Sequence, residues 1–340
     1  MANERTDIEE RQKRQIAKIR REFGPVCQEN YFNDPTTTEL CRNDDGSLWV
    51  ERVGEGMVHV GEMPDHCAEA LLGTIAMTLG TIINKENPIL EGELLVDGSR
   101  VCGVIPPVVR SPVFTIRKRA LKVFSLRDYV DRGIMTELEM IAIVRAVRER
   151  KNILIVGGTG SGKTTLGNAI LSEISKVHPH HRLVIIEDTL ELQCRAENFI
   201  SLRSTEEITM NKLLRTAMRS RPDRIIVGEV RGPEALTLLK AWNTGHPGGL
   251  STVHANSAMA GLIRLEQLIG EATETPMSAL IGEAVNIVVS ITFSQEGGRK
   301  VREIVEITGY GKGEYMSRTI AKSEKEVTNE GREFGKLELV

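Results

Sequence analysis

Aromatic side chains are scarce in this chain: Phe, Trp and Tyr make up 4% of its 340 residues. Proteins that hold single-stranded nucleic acid interleave such rings with basic residues so that bases can stack on them. No aromatic-and-basic surface of that kind is evident here. Neither sign of charge is in large excess. A net charge of −3 gives no broad attraction to nucleic acid, which leaves only a local basic patch as a route to it. Cysteine is sparse and unpatterned. Cys27, Cys41, Cys67, Cys102 and Cys194 form no CxxC pair, and their odd number argues against a disulfide framework or a zinc site. Reduced thiols of a cytosolic protein are the expectation. No segment has the ~20 uninterrupted apolar residues of a membrane helix, and the N-terminus lacks the apolar core of a secretory signal. The chain reads as cytoplasmic, at most peripheral to a membrane.

What is present is organised in blocks. Residues 1–22 mix seven basic and five acidic residues, with Ile16, Ile19 and Phe23 at helical spacing. They read as a charged arm or helix, with docking to a membrane surface or partner as the sharper alternative. Residues 23–107 show an α+β pattern. Leu48–Val53 alternates like a strand, His66–Gly80 is an apolar helix, and Leu94–Ile105 reads as a hairpin turning at Asp97-Gly98. Pro106, Pro107 and Pro112 punctuate a linker over 108–135. From 136 to 310 strand and helix alternate. Thr136 and Glu139 form a capping box. Apolar strands follow at Asn152–Val156, Leu183–Glu187, Ile225–Gly228, Leu250–His254 and Asn286–Thr292. That rhythm predicts a parallel sheet covered by helices, hence an α/β fold. The tail, 311–340, is polar and is expected to be irregular.

The chemistry concentrates in the α/β block. Gly157, Gly158, Thr159, Gly160, Ser161, Gly162, Lys163 and Thr164 fit GxxxxGK[ST] without departure, with Thr165 next in line. Glycines let the backbone wrap an anion and aim its N–H groups inward. A helix starting near Gly162 adds its positive end. Lys163 would neutralise the β- and γ-phosphates of ATP, and the Thr164 hydroxyl would ligate Mg²⁺. Glu187-Asp188 and Glu229 each end an apolar strand, where ligands of open α/β sheets bind. A carboxylate there can orient water or hold Mg²⁺ through water. His254 also ends a strand and could sense the γ-phosphate; His246 is a weaker candidate. Two arginine groups remain: Arg117 and Arg119 after the prolines, and Arg215, Arg219, Arg221, Arg224 and Arg231 around the Glu229 strand. Arginine suits phosphate and subunit boundaries, although any single one can be solvated charge.

In order, the P-loop, Ile186-Glu187-Asp188-Thr189, the stretch from Arg221 to Arg231 and Ser251-Thr252-Val253-His254-Ala255-Asn256 resemble the Walker A, Asp box, Walker B and His box of the secretion ATPase superfamily. The similarity runs from about Arg110 to Thr292. Asn87–Leu90, Asp97–Arg100 and Ile105–Val109 resemble the N-terminal domain of its type IV secretion, or conjugation, branch. The resemblance implies a RecA-like P-loop ATPase domain behind a smaller α+β domain. It also implies a homohexamer that hydrolyses ATP with Mg²⁺ and powers a type IV secretion apparatus at the inner membrane. On that resemblance Glu187 is the catalytic glutamate, Glu229 the Walker B acid, His254 the His-box residue and Arg117 a linker arginine that reaches nucleotide. The four-cysteine zinc motif frequent in type II members is missing.

Three other readings stay open at this level: an ATPase for pilus assembly or protein secretion outside conjugation, a RecA-like helicase, and a nucleotide switch that does not hydrolyse. Fold alone does not separate them. The low aromatic content weighs against the helicase and the intact acids against the switch.

Overall fold

The computed structural model describes residues 2–52, 55–119, 123–205, 207–294 and 297–322, with side chains from residue 10 onward. The chain divides into two compact units, Met1–Leu121 and Lys122–Val340.

The first unit is an antiparallel sheet with helices packed on it. Its strands are β1 (Thr37–Arg42), β2 (Ser47–Arg52), β3 (Gly56–Glu62), β4 (Ile89–Glu93), β5 (Arg100–Val104) and β6 (Val113–Arg117), in the order β3-β2-β1-β6-β5-β4. Alternation along β1 and β2 sends Leu40, Leu48 and Val50 inward, where they meet Leu71, Leu72 and Ile75 of the helix Asp65–Thr78. The charged N-terminal segment is the helix Ala2–Glu22. Its Ile19, with the following Phe23, is fully buried in this core, so these two apolar positions serve packing within the unit. Arg42 is buried whole and donates to the Met63 carbonyl at 2.9 Å and to Asp65 at 2.6 Å.

The linker expected over 108–135 contains the boundary between the two units but is regular structure over part of its length. The stretch Val113–Arg117, placed in a linker because of its flanking prolines, is β6, paired with β1 on one side and β5 on the other. Further on, Leu126–Asp131 is a helix with its own Ser125–Asp128 capping box. Prolines mark where a strand begins or ends as readily as where structure stops. The Asp97-Gly98 turn is present, with Gly98 at φ +72° and the Asp97 carboxylate accepting from Ser99 N–H. Its strands are Ile89–Glu93 and Arg100–Val104, so Leu94 belongs to the turn.

The second unit is built on β7 (Ile153–Gly157), β8 (Leu183–Glu187), β9 (Phe199–Arg203), β10 (Arg224–Val227), β11 (Leu250–His254), β12 (Ile287–Ser294), β13 (Gly298–Gly311) and β14 (Glu314–Lys322). The order is β14-β13-β12-β7-β11-β10-β8-β9, parallel from β12 to β9, with β13 and β14 antiparallel at one edge. Residues of the central strands alternate between two cores. Leu154, Val156 and Val184 face one; Ile153, Ile155 and Leu183 face the other. Burial on both faces is why these strands read as unbroken apolar runs. The expected irregular tail is wrong over its first part: Glu314–Lys322 is a strand hydrogen-bonded to β13, polar because it forms an open edge. The rest of that tail, 323–340, lies outside the described residues.

Candidate nucleotide-binding site

Every parallel strand of the second unit points its C-terminal end toward one edge of the sheet, and the P-loop, Glu187, Glu229 and His254 gather there. Gly157 ends β7, Glu187 ends β8, His254 ends β11, and Glu229 follows β10 by two residues. Because β11 lies between β7 and β10, His254 stands between the P-loop and Glu229.

The P-loop is built by local necessity. Gly157 is buried, and a Cβ there would collide with the Ile291 carbonyl and with Ser161 Oγ. Gly162 has φ +96°, a left-handed conformation that lets the chain turn directly into the helix Lys163–Val177. Leu166, Ile170 and Ile174 then bury one face of that helix. Lys163 curls back, donating to the carbonyls of Gly157 and Gly158 at 3.0 Å each, and its Nζ lies 3.2 Å from His254 Nδ1. Thr164 and Thr165 are half-buried on the first helical turn. Ser161 Oγ is buried without a hydrogen-bond partner. A cation inside a glycine turn, at a helix N-terminus, with a spare buried hydroxyl, fits a phosphate chain.

A continuous polar network runs from this lysine. Since the ammonium can only donate, His254 Nδ1 must accept, which leaves the ring proton on Nε2. Nε2 lies 2.8 Å from Glu229 Oε1. Burial pushes His254 below the ordinary imidazole range; Glu229 opposes the shift, and the charges of Lys163, Arg231 and Arg264 add to it. Glu229 Oε2 accepts from Arg231 Nε at 2.8 Å, and a terminal guanidinium nitrogen of Arg231 reaches Asp188 at 2.6 Å. Glu187 is almost fully buried, and its Oε1 accepts from the N–H groups of Glu191 and Leu192, both at 2.9 Å. Those two bonds fix the carboxylate against the turn after β8, as a group that must hold one orientation requires.

Several arginines separate once placed. Arg231 joins the network. Arg224, read from sequence as one of a phosphate-facing group, starts β10 at the opposite edge. It is wholly buried and donates to the carbonyls of Gly248 and Val147 and to His181. It ties the start of β10 to the helix Glu137–Arg148 and to the segments leading into β8 and β11. His246 precedes β11 and so also lies at the edge away from the P-loop, with Nδ1 3.3 Å from the Ala241 carbonyl. Arg117 is the exposed last residue of β6 in the first unit, paired across strands with Glu39 and Arg100. Arg299 was not found from sequence. It donates to the Gly160 carbonyl at 3.3 Å, and its side chain packs where a Cβ on Gly162 would point. It follows a turn more than a hundred residues downstream, and no motif signals it.

With respect to metal, Thr164 and Glu229 offer hard oxygen donors, and among the described residues no cluster of three or more His, Cys, Asp or Glu side chains could cage an ion.

Comparison with known proteins agrees with this geometry. Residues 100–331 match the family described as "Type II/IV secretion system protein". The chain is similar to the conjugal transfer protein TrbB of Rhizobium radiobacter, with 50% identity over 295 residues, covering 87% of this chain and 91% of that one. It is 31% identical over 339 residues to the type IV secretion system protein VirB11 of Bartonella quintana, covering 85% and 93% of the two chains. Among solved structures, the ATPase DotB of Legionella pneumophila shares the fold at 17% identity, with a TM-score of 0.57 and 78% and 75% of the chains covered. On its sequence and its fold, the chain belongs to the type II/IV secretion system protein family.

Proposed function

We propose that this chain is the ATP-hydrolysing motor of a type IV secretion apparatus in conjugal DNA transfer. The observation that carries the enzymatic half is the unbroken network from the P-loop through Lys163, His254, Glu229 and Arg231 to Asp188. The transfer half is supported by the conjugal-transfer relative at 50% identity. Residues 157–165 receive the phosphates, and Lys163 exchanges its backbone carbonyls for phosphate oxygens. Glu187, held by two amides, orients and accepts a proton from the attacking water. His254, with Nδ1 3.2 Å from Lys163 Nζ and Nε2 2.8 Å from Glu229 Oε1, links the state of Lys163 to that of Glu229. Thr164 and Glu229 are the residues that would hold Mg²⁺, which when bound would supply neutralisation of phosphate charge.

The working unit in this reading is a homohexameric ring, cytoplasmic and peripheral to the inner membrane, with Arg117 brought to nucleotide from the N-terminal domain. Among the described residues no helix is long and apolar enough to cross a membrane. Two measurements test the proposal. In cells lacking this protein, plasmid transfer and pilus production are scored separately; normal transfer refutes the conjugation role, and loss of pili together with transfer assigns the work to assembly. With purified protein, activity per chain should rise with concentration as sedimentation detects rings. Arg117→Ala should lower it without dispersing them. A monomer of constant activity refutes the ring.

A further inference from the structure

On the side of β7 away from His254 the sheet continues with β12. Ser290 of β12 is the register partner of Val156, so the last residues of β12 run out past the start of the glycine turn. Phe293 stands there with its side chain 51% exposed. The other exposed phenylalanine among the described residues, Phe199, begins β9 and so lies at the opposite edge. Arg299 is the direct partner of Phe293 across the β12–β13 pair, and its guanidinium carbon lies over the ring, 5.3 Å from the centre. A cation so placed is attracted to the π-electrons of the ring.

Arg299 is itself held from two sides. It donates to the Gly160 carbonyl at 3.3 Å and fills the space a side chain on Gly162 would need. Just beyond it, Val301 N–H donates to the Ile134 carbonyl at 2.8 Å, and the Lys300 ammonium donates to the Gly133 carbonyl. One side chain thus couples an exposed ring to the backbone of the P-loop.

A nucleotide in this loop has a direction. The glycine backbone of a P-loop cradles the α- and β-phosphates, and its lysine reaches the β- and γ-phosphates. Here Lys163 Nζ lies 3.2 Å from His254 of β11, which flanks β7 on one side, while β12 flanks it on the other. The γ end therefore lies toward β11. Ribose and base, joined through the α-phosphate, leave the loop on the β12 side, where Phe293 and Arg299 stand. We propose that Phe293, backed by Arg299, stacks the nucleobase and gives the site its preference for nucleotide over a bare phosphate chain. This rests on the ATPase reading above. Every base has a π-face, so the ring needs no hydrogen bond to hold it.

The test compares binding of ADP and of inorganic pyrophosphate to the purified full-length protein. In Phe293→Ala, ADP should bind about tenfold more weakly, the scale of losing one base–aromatic stack. Pyrophosphate should stay within about twofold of wild type, which also shows that the P-loop is folded. Phe293→Tyr keeps the ring and should keep ADP affinity. Phe293→Leu keeps only apolar bulk and should follow Phe293→Ala. In Phe293→Trp, indole emission above the background of Trp49 and Trp242 should be quenched by ADP and not by pyrophosphate. Unchanged ADP affinity in Phe293→Ala overturns the proposal, as do equal losses for both ligands or an unquenched Phe293→Trp. Failure of the ATPase reading looks different: ADP would bind and depend on Phe293, yet ATP would not be turned over.

Discussion

The two ends of strand β10 make opposite use of arginine. At its start, Arg224 is fully buried, and its donors are taken by two backbone carbonyls and by His181. Burial, helped by neighbouring Arg150, pulls its guanidinium down to about 10. Seven residues on, past the strand's other end, Arg231 is half-exposed and shared between two carboxylates that could take other partners. Backbone carbonyls at a strand root cannot leave; carboxylates at a ligand edge can. One edge is closed chemistry and the other is poised to exchange. Residue type carries none of that difference, which comes from which end of a parallel strand the residue occupies.

The largest effect should come from the poised edge. Lys163→Ala removes the charge that offsets the β/γ-phosphates, so ATP turnover should fall to background while the circular dichroism spectrum and melting point stay near wild type. A folded variant with near-normal hydrolysis would remove the P-loop from the mechanism. Next is the division of labour between acids. Glu187→Gln keeps the acceptor for the Glu191 and Leu192 amides but loses basicity, so turnover should drop on the order of 10²-fold or more with ATP still bound. If Glu229→Gln gives that trapped state and Glu187→Gln turns over normally, the two roles are reversed.

The closed edge should respond in stability. Arg224→Leu leaves the Gly248 and Val147 carbonyls without their donor and should cost about 3–5 kcal/mol in urea unfolding. Arg231→Gln, which loses exposed pairs, should cost at most about 1 kcal/mol while slowing turnover. Equal destabilisation by both would erase the contrast between the edges. The smallest effect is on pH. His178 and His181 stack at 4.3 Å, and burial, then the charge of Arg224, lowers both below the ordinary imidazole range. Arg150 pushes the same way, and Asp223 opposes it at His181. The unfolded chain then takes up protons first as pH falls, so stability should decline from about pH 6.5 downward until the folded-state values are passed. His181→Asn should flatten that decline in melting curves.

Much of this was legible in the sequence because a parallel strand is written twice, as an apolar run and as a chemical residue at its end. Ile153–Gly157, Leu183–Glu187 and Leu250–His254 are all of this kind. The strands that escaped notice lack the second mark. Phe199–Arg203 and Glu314–Lys322 sit at sheet edges with mixed polarity, and Val113–Arg117 hides behind prolines. Site residues were found where a motif fixed their spacing. Arg299 reaches the site through tertiary packing, by way of a distant turn.

Asn152 accepts from the amides of Gly248 and Gly249 at 2.7 and 2.9 Å and donates to the Ala284 carbonyl at 2.7 Å. One side chain thus rivets the approach to β11 and the segment before β12 onto the foot of β7. Mechanically the sheet is a cantilever. With its root riveted and its tips carrying the P-loop, His254 and Glu229, a load applied at the tips bends the strands with no slippage where they start.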